Sequence, residues 1–227
     1  MNGTIIPVSN NEKDIGVTIN RHLKPNDHCA RAAGTALGVF YQLIRSFHYR
    51  DKHVFKKLYT TYVRPHLEFA APAWSPWHAK DIEKIENVQR KFVRNVSGLE
   101  SKTYETKLIE LGLLSLEDRR LYLDLMEVYK IIYGHVRLSR ESIFELVGDA
   151  ERKHTRGTDC PKNIVLKRCN LEIRRNFFSI RTAKSWNDLP DDLKLCDKMS
   201  LFKSNLKSHL IYLRSGATKG TTHQVNK

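Results

Sequence analysis

Acidic residues are the scarce class in this 227-residue chain: 25 Asp and Glu stand against 39 Lys and Arg, a formal net charge of +14 with histidines neutral. That imbalance says nothing about fold. It favours polyanionic partners, through long-range attraction and release of condensed counterions. Also missing is any apolar run near the ~20 residues needed to cross a bilayer, so a membrane is not an expected partner. Cysteine is sparse, with four residues (Cys29, Cys160, Cys169, Cys196) at wide and uneven spacing. Residues 1–20 mix Asn, Glu, Lys and Asp among the apolar positions, unlike a secretory leader. Reduced thiols in an intracellular protein, nuclear or cytoplasmic, are the expectation.

Catalytic and metal signatures are absent as well. There is no C-x-x-C or H-x-x-x-H pair, although structural zinc usually takes two ligands from one tight turn. His28-Cys29, and His154 ahead of Cys160 and Cys169, are therefore read as small buried thiols and ordinary histidines rather than metal ligands. No G-x-S-x-G turn, Walker loop or H-E-x-x-H string occurs. A polymerase needs carboxylates that hold two magnesium ions, and the aromatic-Ala-Asp-Asp turn that supplies them is not here. The residues alone assign no catalytic group, no metal ligand and no cofactor.

What is present is helical periodicity. Thr4–Val8 and Asp14–Ile19 alternate around Ser9-Asn10-Asn11, which predicts an N-terminal hairpin over 1–20. Such a hairpin wants partners at its edges, as if the chain began partway through a sheet. Asn26 or Asp27 can cap a helix over 27–47 that packs through Ala32, Ala33, Ala36, Leu37, Phe40, Leu43 and Ile44. Asp51 caps a second, with Val54, Phe55, Leu58, Tyr59 and Tyr62 on one face, and Pro65 kinks or ends it. Trp74 and Trp77 read as packing residues. From Ala79 to Val96, Ile82, Ile85, Val88, Phe92, Val93 and Val96 form one stripe, while Lys84, Arg90, Lys91 and Arg94 occupy the far face. Those cations gather at the C-terminal end, where they also complement the helix dipole. Gly98 follows as a stop signal. A short helix near 104–111 comes next. Ser115 and Asp118 resemble a capping box before a helix that Gly134 ends.

A linker with a short helix near 140–147 is expected over 135–161. Beyond it, Asn163–Cys169 and Leu171–Arg175 read as strands with Ile164, Leu166, Leu171 and Ile173 on one face. Helices over 176–189 (Phe177, Phe178, Ile180, Trp186) and 200–213 (Phe202, Leu206, Leu210, Leu213) complete a small C-terminal α+β element spanning 162–213. Residues 214–227 read as a disordered tail. The fold class is mainly α, with a helical domain over 21–134.

Residues 151–185 hold ten Lys and Arg against three acids. Phe177 and Phe178 lie among them and read as core first, base-stacking second.

Several strings in order resemble the region downstream of the palm in non-LTR (LINE-type, jockey- or chicken-repeat-like) retrotransposon reverse transcriptases, across roughly 3–213. They are Asn11–Ile19, His28-Cys29, Arg50-Asp51-Lys52, Leu58 through Pro76 with Arg64-Pro65-His66-Leu67-Glu68-Phe69-Ala70, and Glu86-Asn87-Val88-Gln89-Arg90-Lys91. Further on come Thr155-Arg156-Gly157, Arg168-Cys169, Arg174–Ser179 and Trp186-Asn187-Asp188-Leu189-Pro190. The resemblance implies a helical thumb-like bundle from an RNA-directed DNA polymerase, with the endonuclease, fingers and palm upstream. The family's catalytic aspartates match no position here, so the chain is not expected to be an enzyme on its own, and magnesium would belong to the missing palm. A thumb grips template–primer by its backbone, through charge and shape. The expected partners are RNA, an RNA–DNA hybrid or DNA, with a separate palm-bearing polymerase chain as a further one. Arg90, Lys91 and Arg94 are the expected thumb contacts, and Lys167, Arg168, Arg174 and Arg175 a second backbone patch. The competing expectation is a decayed or repurposed element fragment that meets a protein through a tryptophan-rich surface near 72–77.

Overall fold

The computed structural model describes residues 9–149 and 160–217. The strand expected at Thr4–Val8, most of the expected tail, and Arg152, Lys153 and Arg156 of the basic run lie outside those residues. The protein is mainly helical with an N-terminal antiparallel hairpin, as the sequence predicts. It divides into two compact units, Met1–Arg120 and Leu121–Lys227.

The hairpin pairs β1 (Asn11–Asp14) with β2 (Val17–Asn20), Asp14 facing Val17. Its turn is therefore Ile15-Gly16, not Ser9-Asn10-Asn11. Both turn residues sit at positive φ (41° and 89°), the pattern of a type I′ turn that matches strand twist. Gly16 is required twice over. A Cβ there would lie 2.9 Å from the Phe69 ring.

α1 (Asn26–Ser46) starts one residue earlier than expected. Pro25 occupies the N-cap position, without a side-chain cap. The carboxylate of Asp27 is instead occupied by Asn20 Nδ2, at 2.6 Å. Asp51 does cap α2 (Lys52–Leu58), accepting from the His53 and Val54 amides, and those bonds hold its carboxyl below the usual range. The helix then widens into one π turn, Tyr59–Val63, before α3 (Arg64–Glu68). A proline ring clashes with the carbonyl four residues back in a regular helix. The extra residue in the π turn lets the chain pass Pro65 while remaining helical. α4 (Ala71–Trp74) is a single turn, followed by α5 (Ala79–Arg94), α6 (Tyr104–Leu111) and α7 (Leu116–Ile132).

Phe92 is the hub of the first unit's core. Its ring meets Phe55 at 4.5 Å, Tyr59 at 4.6 Å and Phe40 at 5.8 Å. Ala32, Ala33 and Ala36 are buried on α1, so along that stretch its backbone is free to approach its neighbours closely.

The second unit begins within α7, because Tyr122, Leu125, Val128, Tyr129 and Ile132 belong to its core. The 135–161 segment, where described, is not a free linker: Phe144 and Leu146 lie in that same core. The helix expected at 140–147 is replaced by two short 3-10 turns, Arg140–Ser142 and Val147–Asp149. Between them the chain extends, and Leu146 bridges Ile164. That bridge is all that remains of the strands expected at 163–175. α8 (Glu172–Arg175) is helical, and of the four residues assigned to one face only Ile164 is buried. The reason is chemical: Asn187 stands in for a neighbouring strand, with its side chain bonding both the Ile164 amide and the Ile164 carbonyl at 2.8 Å.

α9 (Phe178–Asn187), α10 (Asp191–Lys194) and α11 (Met199–Ala217) close the unit. Trp186 is buried and donates its indole N–H to the Lys162 carbonyl at 2.8 Å. α11 runs past the expected helix end, so residues 214–217 are helical rather than tail; Phe202, Leu206 and Leu210 are buried, whereas Leu213 is exposed.

Candidate nucleic-acid interface

α5 has two chemically different faces. Its inner face buries Ile85, Val88, Phe92 and Val93, but also Glu86 and Gln89, which belong to the E-x-V-Q-R-K string. The Gln89 amide bridges three partners. Its Oε1 accepts from the Tyr59 hydroxyl at 2.5 Å, and its Nε2 donates to the Tyr104 hydroxyl (2.9 Å) and the Leu114 carbonyl (3.0 Å). Tyr104 in turn donates to Glu86. The same carboxylate accepts the Leu116 amide at the start of α7, at 3.0 and 3.2 Å. Burial, reinforced by the Glu86 charge, pushes the Tyr104 phenol far above its ordinary pKa, so it remains a donor at any physiological pH. The string is thus first a folding device. It ties the π turn, α5, α6 and the start of α7 together with every polar atom named here satisfied.

The outer face is the candidate interface, and the structure separates its three predicted residues. Arg90 is half-buried, paired with Glu83 and held over the Tyr104 ring at 5.1 Å. Lys91 and Arg94 are exposed on the last turn, and among the described residues neither has a carboxylate partner. Arg94 lines a concavity of about 410 Å³ together with Arg90, Glu100, Lys102, Tyr104 and Lys107. Lys102 and Lys107 were not singled out from the sequence. They lie outside the helix whose periodicity drew attention to the others.

The C-terminal basic run fares unevenly in the second unit. Arg181 is consumed internally, forming a forked pair with Asp124 at 2.8 and 3.3 Å. Lys162 sits 4.8 Å over the Tyr133 ring. Lys167 is exposed but 3.6 Å from Glu145. Arg168, Arg174 and Arg175 are exposed; Arg174 lies 5.0 Å over the Phe177 ring, and Arg175 reaches the Asn170 carbonyl at 3.4 Å. Phe177 is 54% exposed, so the core reading fails for it, whereas Phe178 packs against Phe144 at 6.0 Å. Arg90, Lys91 and Arg94 belong to one unit and these residues to the other.

The expected tryptophan-rich surface is not a surface at Trp74. That ring is buried, 4.5 Å from His28, and its indole N–H bonds the Phe69 carbonyl at 2.7 Å. All four cysteines are free thiols, and burial pushes that of Cys29 up to about 12. Among the described residues no three or more His, Cys, Asp or Glu are grouped to hold a metal ion. No described helix is long and apolar enough to cross a membrane. No protein-family model, curated protein or solved structure matches this chain.

Proposed function

We propose that this chain is the thumb and post-thumb portion of a non-LTR retrotransposon reverse transcriptase, and that it grips template–primer nucleic acid through the phosphate backbone without polymerising by itself. The observation that carries the reading is the last turn of α5. Lys91 and Arg94 stand there exposed and, among the described residues, without carboxylate partners, on a helix whose other face is fixed by the Glu86–Gln89 network. Cations on a rigid element can meet phosphates without the further cost of ordering the backbone that carries them. Exposed Arg168, Arg174 and Arg175 supply a second basic patch.

The test is binding to an RNA–DNA hybrid, duplex DNA and single-stranded RNA at matched salt, with a Lys91→Ala/Arg94→Ala variant alongside. Arg90 is left intact because its contacts with Glu83 and Tyr104 would confuse folding with binding. Tight hybrid binding that weakens in the variant supports the reading; a folded protein that binds none of the three overturns it. A second reading, a repurposed fragment that docks a protein, draws on Leu166, Leu171, Ile173 and Phe177, which are exposed in the stretch that carries the second patch's cations. A salt-insensitive protein partner would select it.

A further inference from the structure

The concavity beside α5 is built differently from a backbone-gripping surface. Four cations line it, Arg90, Arg94, Lys102 and Lys107, against one carboxylate, Glu100. Two of them are already committed: Arg90 to Glu83, and Lys102 to Glu110, which it shares with Lys52. Both are thereby held as fixed walls. The other two form no ion pair among the described residues and have only the nearby Glu100 charge between them. Arg94 has no carboxylate partner among the described residues. Lys107 is 5% exposed, and its ammonium makes one long hydrogen bond, 3.4 Å to the Glu100 carbonyl.

A lysine carries three donors, and burying an ammonium without acceptors is costly. Lys107 therefore has unused donor capacity at a concave basic wall. The Glu100 carboxylate accepts the Gly98 amide at 3.0 Å and offsets one of the four positive charges. Counting Lys52, five cations stand against three carboxylates, Glu83, Glu100 and Glu110, and that excess of two suits a dianion better than a monoanion.

Shape narrows the ligand further. A phosphodiester within a duplex lies on a convex ridge and carries one charge, whereas a phosphate monoester at a strand end protrudes and carries about −1.5 to −2. The volume, about 410 Å³, falls within the range that encloses small ligands. We infer that this concavity seats the terminal phosphate monoester of a nucleic-acid strand, with Arg94 and Lys107 as its donors. The inference rests on the proposed grip and adds that the protein distinguishes a phosphorylated strand end from a hydroxyl one.

The experiment compares one RNA–DNA hybrid in three versions: 5′-phosphate, 3′-phosphate and hydroxyl ends only. One or both phosphorylated versions should bind at least about tenfold tighter, the gain that even one charge-assisted hydrogen bond would give. Arg94→Ala and Lys107→Met should each erase that preference. Circular dichroism checks the buried Lys107→Met variant for folding, and exposed Arg94→Ala decides the matter if it unfolds. Equal binding of all three versions overturns the seat and leaves the grip standing; failure of all three to bind overturns both. Competition by AMP separates the sources of the phosphate. Displacement only at far higher concentration supports a strand end, and AMP binding tighter than the hybrid overturns it.

Discussion

Glu86 and Gln89 resemble surface residues in a linear pattern, since charged and amide side chains are seldom fully buried. Their burial was therefore not legible from periodicity, and Arg90, Lys91 and Arg94 read as three equivalent cations for the same reason. Only the tertiary partners (Tyr59, Tyr104, the Leu116 amide) reveal that Glu86 and Gln89 face inward and that Arg90 is half committed. Truncation has a predictable cost. Glu86→Ala leaves the Tyr104 hydroxyl and the Leu116 amide without an acceptor, at about 2–4 kcal/mol for two buried donors. Glu86→Gln retains an acceptor oxygen and should lose less than half of that. Urea unfolding measures both, with exposed Glu105→Ala as the reference, expected within about 0.5 kcal/mol of the parent. A Glu86→Ala midpoint equal to the reference would remove the network from the account of stability.

At the scale of elements, long amphipathic helices were the most legible feature. α1, α5, α7 and α11 lie where apolar spacing puts them, because burying one stripe dominates the free energy of a helix of that length. The hairpin register was not legible. It is set by the positive φ of Ile15 and Gly16 and by Phe69 packing from far along the chain. The false strands at 163–175 arose because apolar alternation does not specify a partner, and here the partner is the side chain of Asn187. Nor could α10 announce that Lys194 is buried, bonded to Asn163 Oδ1 at 2.7 Å and the Asn187 carbonyl at 3.0 Å.

The join between hairpin and α1 gives a pH prediction. His28 Nδ1 accepts the Thr18 amide at 3.1 Å, which requires an unprotonated nitrogen. Burial, and then the charge of Arg31, lower the pKa of His28. A depressed folded pKa means that the contribution is fully present above the unfolded value of about 6.5 and is lost as pH falls through the folded one. Hydrogen exchange should show the Thr18 amide protected at about pH 7 and less protected once the pH is below the depressed folded value, while amides in α5 are unchanged. His28→Phe keeps an aromatic packing surface without the acceptor, so its Thr18 amide should be unprotected under both conditions. Protection in the parent that is independent of pH would remove His28 from the joint.

Across the whole molecule the positive charge is shared. The first unit has 19 Lys and Arg against 13 Asp and Glu, and the second has 20 against 12. Diffuse attraction and specific phosphate contacts both follow from such an excess, and salt dependence separates them. Each phosphate neutralised on duplex DNA contributes about −0.9 to the slope of log K against log salt. Replacing Lys91 and Arg94 should therefore flatten the slope by up to about 1.8, and replacing Arg168, Arg174 and Arg175 by up to about 2.7, if each contacts one phosphate. Lys80 provides the control, an exposed cation in the first turn of the same α5. Under a diffuse mechanism Lys80→Ala flattens the slope as much as Arg94→Ala does, because only net charge matters. Under a localised grip it changes the slope by a few tenths at most, and the two multiple variants differ from it and from each other. A series from about 50 to about 200 mM salt spans the range over which such contacts change affinity by orders of magnitude. If only the α5 variant flattens the slope, the grip belongs to the first unit, and the C-terminal cations serve solubility or a different partner.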